Sequence, residues 1–285
     1  MMELIKMGRR QLINKYINKI YYKIFNPVYN LKLKFGSNPK FIVIGNPKTG
    51  TSVISSLIAV YGGLTKTIDI PEMWYKQLEL YKGNIELEKF ISENPHRFAK
   101  KLVKEPNLTF LYSKIKDIFP KSKIVLITRH PVDNVRSVLD RVNISPSSLP
   151  IDTKEIDDMK IINPWKWFVN GKVLGDNPSN KVPYSMAYNW VYTVKLFLEN
   201  KDSIYLIRYE DFIEDKTSSI QRYCEDLNIK KQNDISHLVD KQYQPKGENK
   251  NKEITELFSE EVIRNIENIC SSEMEKLGYE FYSKK

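Results

Sequence analysis

Phe41-Ile42-Val43-Ile44-Gly45-Asn46-Pro47-Lys48-Thr49-Gly50-Thr51-Ser52-Val53-Ile54-Ser55-Ser56-Leu57-Ile58 is the stretch that decides the fold. Four apolar residues of high strand propensity run into a short polar loop with two glycines. Apolar residues at 53, 54, 57 and 58 then recur at helical spacing. The order is strand, tight loop, helix. Two further runs repeat the first half of that pattern. Ile124-Val125-Leu126-Ile127 ends at Thr128-Arg129 and leads to Pro131, a residue suited to a first helical turn. Ile204-Tyr205-Leu206-Ile207 ends at Arg208-Tyr209-Glu210-Asp211. Short strands that are apolar on both faces, separated by helical segments, predict a single α/β domain with a central parallel sheet flanked by helices.

The loop has the chemistry of an anion site. A strand that turns through glycines into a helix presents unpaired backbone N–H groups, and the positive end of the helix, to one point. Gly45 and Gly50 permit the turn, Lys48 adds charge, and Thr49, Thr51 and Ser52 add hydroxyls. The spacing Gly45-x4-Gly50 is that of a nucleoside-triphosphate loop, but Thr51 stands where that loop needs lysine. Arg129 falls at the carboxyl end of the second strand, where open α/β sheets place ligands. Asp133, Ser137 and Arg141 follow at intervals of four, on one helix face, and Arg136 is spaced to pair with Asp140. Arginine and serine converging there suit a phosphate dianion. A metal-assisted kinase or NTPase, the rival enzyme reading, would want an acid at that strand end.

Charge sharpens this. The 285 residues carry a net charge of +10, with 41% hydrophobic and 28% charged residues, which excludes a disordered or fibrous chain. Residues 1–35 hold eight basic residues against Glu3, a net +7, so only +3 is spread over residues 36–285. That is too little for a nucleic-acid footprint and leaves a local cationic site. The N-terminal stretch reads as a basic amphipathic helix ending near Asn26-Pro27: a brace on the main domain, or a contact for an anionic membrane surface as in a non-catalytic basic protein. Cys224 and Cys270 sit in apolar helical patterns and read as buried thiols. With no secretory signal and no membrane-spanning run, a cytoplasmic setting is expected. Residues 62–110 and 143–183 show no regular pattern. The second reads as an insert or a functional lid, in which Trp165, Trp167 and Phe168 form either a platform for a sugar or a ring, or pins to the core.

Taken in order, these motifs resemble those of the sulfotransferases that use 3′-phosphoadenosine 5′-phosphosulfate (PAPS), in their bacterial and carbohydrate-directed branch. Pro47-Lys48-Thr49-Gly50-Thr51-Ser52 resembles the 5′-phosphosulfate loop, Arg129-x-Pro131…Ser137 the 3′-phosphate motif, and Arg208-Tyr209-Glu210-Asp211-Phe212 the segment whose tyrosine helps hold the nucleotide. Trp190 and Leu277-Gly278-Tyr279 are also familiar from that branch. The resemblance spans roughly residues 40–280 and implies a P-loop-like fold, PAPS as cosubstrate, PAP as product, and no metal. It assigns Lys48 to the bridging oxygen, Thr49, Gly50, Thr51 and Ser52 to the phosphosulfate, and Arg129, Ser137 and Tyr209 to the rest of the nucleotide. Lys104 becomes a second cation at the sulfuryl group, and Lys246-Gly247 a loose match to a late basic element. Val53 replaces a tryptophan that stacks on adenine in many relatives. For the base, a histidine two residues after the lysine is replaced by Pro106. A glutamate 20–30 residues beyond the loop lysine is the other option, which gives Glu72, with Glu105 as the alternative. The expected acceptor is a hydroxyl or amine, on a glycan or lipid-linked sugar.

Overall fold

The structure is a computed structural model that describes residues 24–36, 38–175, 179–241, 249 and 252–284. Five parallel strands form one sheet in the order β2-β3-β1-β4-β5, with β1 Phe41–Ile44, β2 Lys66–Ile68, β3 Leu102–Lys104, β4 Lys123–Thr128 and β5 Ile204–Arg208. β1 is buried along its whole length because it carries apolar side chains on both sides. Phe41 and Val43 pack with Ile54, Leu57 and Ile58 of helix α1 (Thr51–Tyr61), while Ile42 and Ile44 pack on the other face with Ile70, Met73, Phe90 and Val103. Each face is thereby removed from water.

From β1 the chain crosses to one side of the sheet to make β2 and β3, then returns past β1 to make β4 and β5. The sheet therefore changes direction between β1 and β4. In open parallel sheets the crevice beyond the carboxyl ends at such a point is where ligands bind. The loop after β1 and the turn after β4 border this crevice.

β2 and β3 were not legible in the sequence. Each is three residues long, too short for a periodic signature. The other helices used below are α2 (Pro71–Trp74), α3 (Leu87–Glu93), α4 (Pro131–Val142), α5 (Asn163–Val169), α6 (Val182–Glu199), α7 (Tyr209–Glu214), α8 (Lys216–Asp226) and α9 (Glu260–Lys276). The side chain of Ser259 caps α9 by accepting from Val262 N, and Gly278, at φ 69°, follows its end. Both cysteines are buried, Cys224 in α8 and Cys270 in α9, and burial pushes the Cys224 thiol up to about 12.

Residues 143–175 and 179–183 are more regular than expected. Ile151, Ile156, Phe168, Val169 and Val182 are buried in one cluster with α4, α6 and α9, so the segment is seated on the core. The N-terminal helix also differs from its reading. Residues 24–34 are helical, so Pro27 does not end it; residues 1–23 lie outside the described residues, as does Lys246-Gly247. Among the described residues no helix is long and apolar enough to cross a membrane.

Candidate active site

A cavity of about 610 Å³ opens at the crevice beyond β1 and β4. Its walls bring together Lys48, Gly50, Thr51 and Ser52 from the loop after β1, Arg129, Ser137 and Arg141 from the end of β4 and from α4, Lys104 from the end of β3, and Tyr209 from the start of α7. Residues up to 161 positions apart in the chain thus face one space, because every parallel strand ends on the same side.

The loop is held from below. Gly45 N donates to the Thr109 hydroxyl at 2.9 Å, the Asn134 amide donates to Pro47 O at 2.8 Å, and Thr193 donates to Asn46 Oδ1 at 2.7 Å. Two glycines are required. Gly45 has φ 137°, and a Cβ there would lie 2.2 Å from Ile127 O. Gly50, the N-cap of α1, has φ 89°, and a Cβ there would lie 2.3 Å from the Tyr209 ring. Lys48 holds φ 71° without being glycine, a strained conformation of the sort that accumulates at functional sites. Burial, together with the cations Arg141 and Arg129, lowers its pKa. A bound anion would reverse that cost.

Arg129 is fixed on several sides. Its guanidinium lies 4.7 Å from the Tyr209 ring centroid and donates to Asp133 Oδ1 at 3.3 Å. Its carbonyl accepts from Trp190 Nε1 at 2.8 Å, and the next N–H, of His130, donates to Glu210 Oε1 at 2.8 Å. The C-terminal strap closes the set: Tyr282 donates to Asp133 Oδ2 at 2.6 Å, Tyr279 donates to Glu210 Oε2 at 3.1 Å, and Glu267 accepts from the Tyr282 and Ser283 N–H groups. His130 accepts from Val132 N through Nδ1 and lies 3.0 Å from Glu280 O through Nε2, and burial lowers its pKa. Its role in the turn is structural.

On the other side of the loop, Lys104 is only 3% exposed. Its ammonium donates to Ser52 Oγ at 3.1 Å and to Asp69 Oδ1 at 2.5 Å. Asp69, the residue after β2, has φ 65°, and its N–H donates to Lys104 O at 2.9 Å. The carboxylate of Glu105 accepts from Ile70 N at 2.6 Å and from Asn107 N and Nδ2, which locks the chain on either side of Asp69 and Lys104. Burial raises the Glu105 pKa to about 7.

A profile of the sulfotransferase domain matches residues 38–278. This chain belongs to the sulfotransferase family. Among solved structures, a sulfotransferase from Mycobacterium avium superposes with a TM-score of 0.50 at 12% identity, covering 96% of this chain and 83% of that one. A mouse sulfotransferase solved with PAP gives 0.49 at 15% identity over 83% and 84%, and one from Alicyclobacillus acidocaldarius gives 0.44 at 13% identity over 82% and 96%. No curated protein matches the sequence significantly. The chain is thus a sulfotransferase enzyme with that family's α/β fold.

Within this sulfotransferase, Lys48, Gly50, Thr51, Ser52, Lys104, Arg129, Ser137 and Tyr209 line one cavity. Thr49 does not join them. It is 1% exposed and its hydroxyl donates to Asn46 O at 2.8 Å, so it pins the loop rather than facing a ligand. Glu72 also stands apart. It lies on α2 beyond the cavity wall and takes two bonds from Arg97, at 2.8 and 3.1 Å. Burial pushes its pKa up, but the Arg97 bonds outweigh that and leave it lowered. Arg136 pairs with Asp133 at 2.6 Å instead of with Asp140, which accepts from Asn249. Of the three aromatic residues considered, Trp165 and Phe168 line the cavity, and Arg141 lies over the Trp165 ring at 5.6 Å. Trp167 packs on the core.

The carboxylate missed by sequence reasoning is Asp69. It stands 21 positions beyond Lys48, inside the window that produced Glu72, but the search there was for glutamate. The signal that finds it is topological: it directly follows a parallel strand, as Lys104 ends one and Arg129 follows another.

Proposed function

We propose that the chain transfers the sulfuryl group of PAPS to a hydroxyl or amine of an acceptor and releases PAP. The observation that carries this reading is a pair of separate anion holders opening on one cavity, the loop at residues 47–52 and the Arg129–Ser137 pair, with Lys104 and Asp69 beside the loop. A ligand with phosphates at two positions fits such a pair. Lys48 and the N–H groups of the loop hold the 5′-phosphosulfate, with the hydroxyls of Thr51 and Ser52. Arg129 and Ser137 hold the 3′-phosphate, and Tyr209 stands between them.

In the reaction the acceptor oxygen or nitrogen bonds to sulfur while the bond from sulfur to the 5′-phosphate oxygen breaks. Lys48 meets the charge that develops on that oxygen, and Lys104 meets the sulfuryl oxygens. Asp69 takes the acceptor proton. No donor among the described residues reaches its Oδ2, whereas both oxygens of Glu105 are occupied by N–H groups and Glu72 faces Arg97. Trp74, Trp165 and Phe168 on the acceptor side give apolar ring faces, beside the polar Gln77 and Asn107, on which a sugar can stack and hydrogen-bond.

Calorimetry separates this reading from its rival. PAP should bind at least tenfold more tightly than AMP, which lacks the 3′-phosphate that Arg129 and Ser137 would hold. A preference for ATP·Mg²⁺ overturns the assignment. The strap sharpens the same measurement. Tyr282→Phe removes one of the groups that share Asp133, and should weaken PAP about fivefold with AMP unchanged. Equal weakening of both nucleotides would make Tyr282 a general stability element instead.

A further inference from the structure

The helix at residues 24–34 presents two opposite faces. Asn26 Nδ2 donates to Glu93 O at 2.9 Å, Asn30 Nδ2 donates to Ser92 O at 3.0 Å, and Leu33 packs against the cluster that contains Phe90 and Ile91. Positions 26, 30 and 33 share one side of a helix turning 100° per residue, and that side docks on the end of α3. Ile24, Val28 and Leu31, continued by Phe35 in the turn that follows, are spaced by four, three and four and fall about half a turn away. They are 64%, 48%, 56% and 76% exposed. The contrast matters because the domain already has cores for its apolar residues, and a row of four large ones left in water along one helix and its following turn is costly. Lys32 flanks this row on one side, its ammonium over the Tyr29 ring, and Lys34 on the other.

We propose that this row seats in the surface of an anionic lipid bilayer, with the helix lying in the plane of the interface. Charge selects the occupant. The row belongs to a stretch with eight basic residues and one acid, a net +7, which favours an anionic headgroup layer. A second copy would bring two such stretches together. Nucleic acid would satisfy the lysines but leave the apolar row unburied. The surface is separate from the nucleotide cavity, so the proposal does not depend on PAPS being the donor.

The test is flotation of the full-length protein with vesicles of phosphatidylcholine, alone or mixed with phosphatidylglycerol, run beside Leu31→Glu/Phe35→Glu and Lys32→Glu/Lys34→Glu. The wild type should partition into mixed vesicles and be released by salt. The apolar double variant should lose partitioning about a hundredfold, and the lysine variant tenfold or more. Both changes are at exposed positions, so melting temperature and PAP affinity should hold. Absence of wild-type binding to mixed vesicles overturns the proposal, as does unchanged binding by the apolar variant. A wild-type dimer that the apolar variant makes monomeric assigns the row to a second copy and also overturns it. So does a fall of several degrees in the variant's melting temperature, which would mean that the chain itself covers the row. If PAP fails to bind while vesicle partitioning behaves as stated, the nucleotide assignment falls and this one stands.

Discussion

Lys48→Ala should lower sulfuryl transfer from PAPS about a thousandfold, read as PAP release with water as the acceptor so that the natural acceptor is not needed. The expected loss follows from position. Lys48 sits in a cavity wall in a left-handed conformation, beside Arg129 and Arg141, where burial already disfavours its charge. The cost of holding that charge is recovered when a negative group arrives, and most fully when that group gains charge in the transition state. Lys48→Ala should therefore reduce turnover more than PAP affinity, and Lys48→Arg should not restore it, because a planar fork cannot replace a point charge at the end of a flexible stem. A variant that retains wild-type turnover removes Lys48 from the reaction.

Asp69→Asn should lower the same reaction about a hundredfold at neutral pH, with PAP affinity within about threefold of wild type. The amide keeps the size of the side chain and its contact with Lys104 but cannot take a proton. Glu72→Gln is the contrast. It breaks a two-bond pair with Arg97 outside the cavity, so turnover should stay within about twofold. A large loss in Glu72→Gln with none in Asp69→Asn would return the base to the position chosen from sequence.

The comparison of these two carboxylates shows where sequence was legible. The β1 and β4 runs are apolar on both faces, which only a parallel sheet covered on both sides can use, so the fold class and the two candidate anion holders could be read from them. Arg129 was readable for the same reason, since a charged residue ending an apolar strand has one place to go. Asp69 was not, because it follows a three-residue strand whose pairing with β3 depends on residues more than thirty positions away. The hydroxyl of Thr49 could not be told from those of its neighbours, because its inward turn is set by Asn46 and Ile127. The Asp133 network was hidden as well: its third member, Tyr282, is 149 positions away.

One contact described above sets the gauge of the site. The Tyr209 ring lies so close to Gly50 that a methyl group there would overlap it, and the same ring carries the Arg129 guanidinium on its face. The ring is thus a spacer between Gly50 of the loop and Arg129, the two proposed anion holders. On the proposed reading, a nucleotide with two phosphate ends would meet jaws already set, and little of its binding energy would go into bringing them to width. Changing the spacer would mis-set both jaws together. Gly50 and Tyr209 are therefore one part, although 159 positions separate them in the chain.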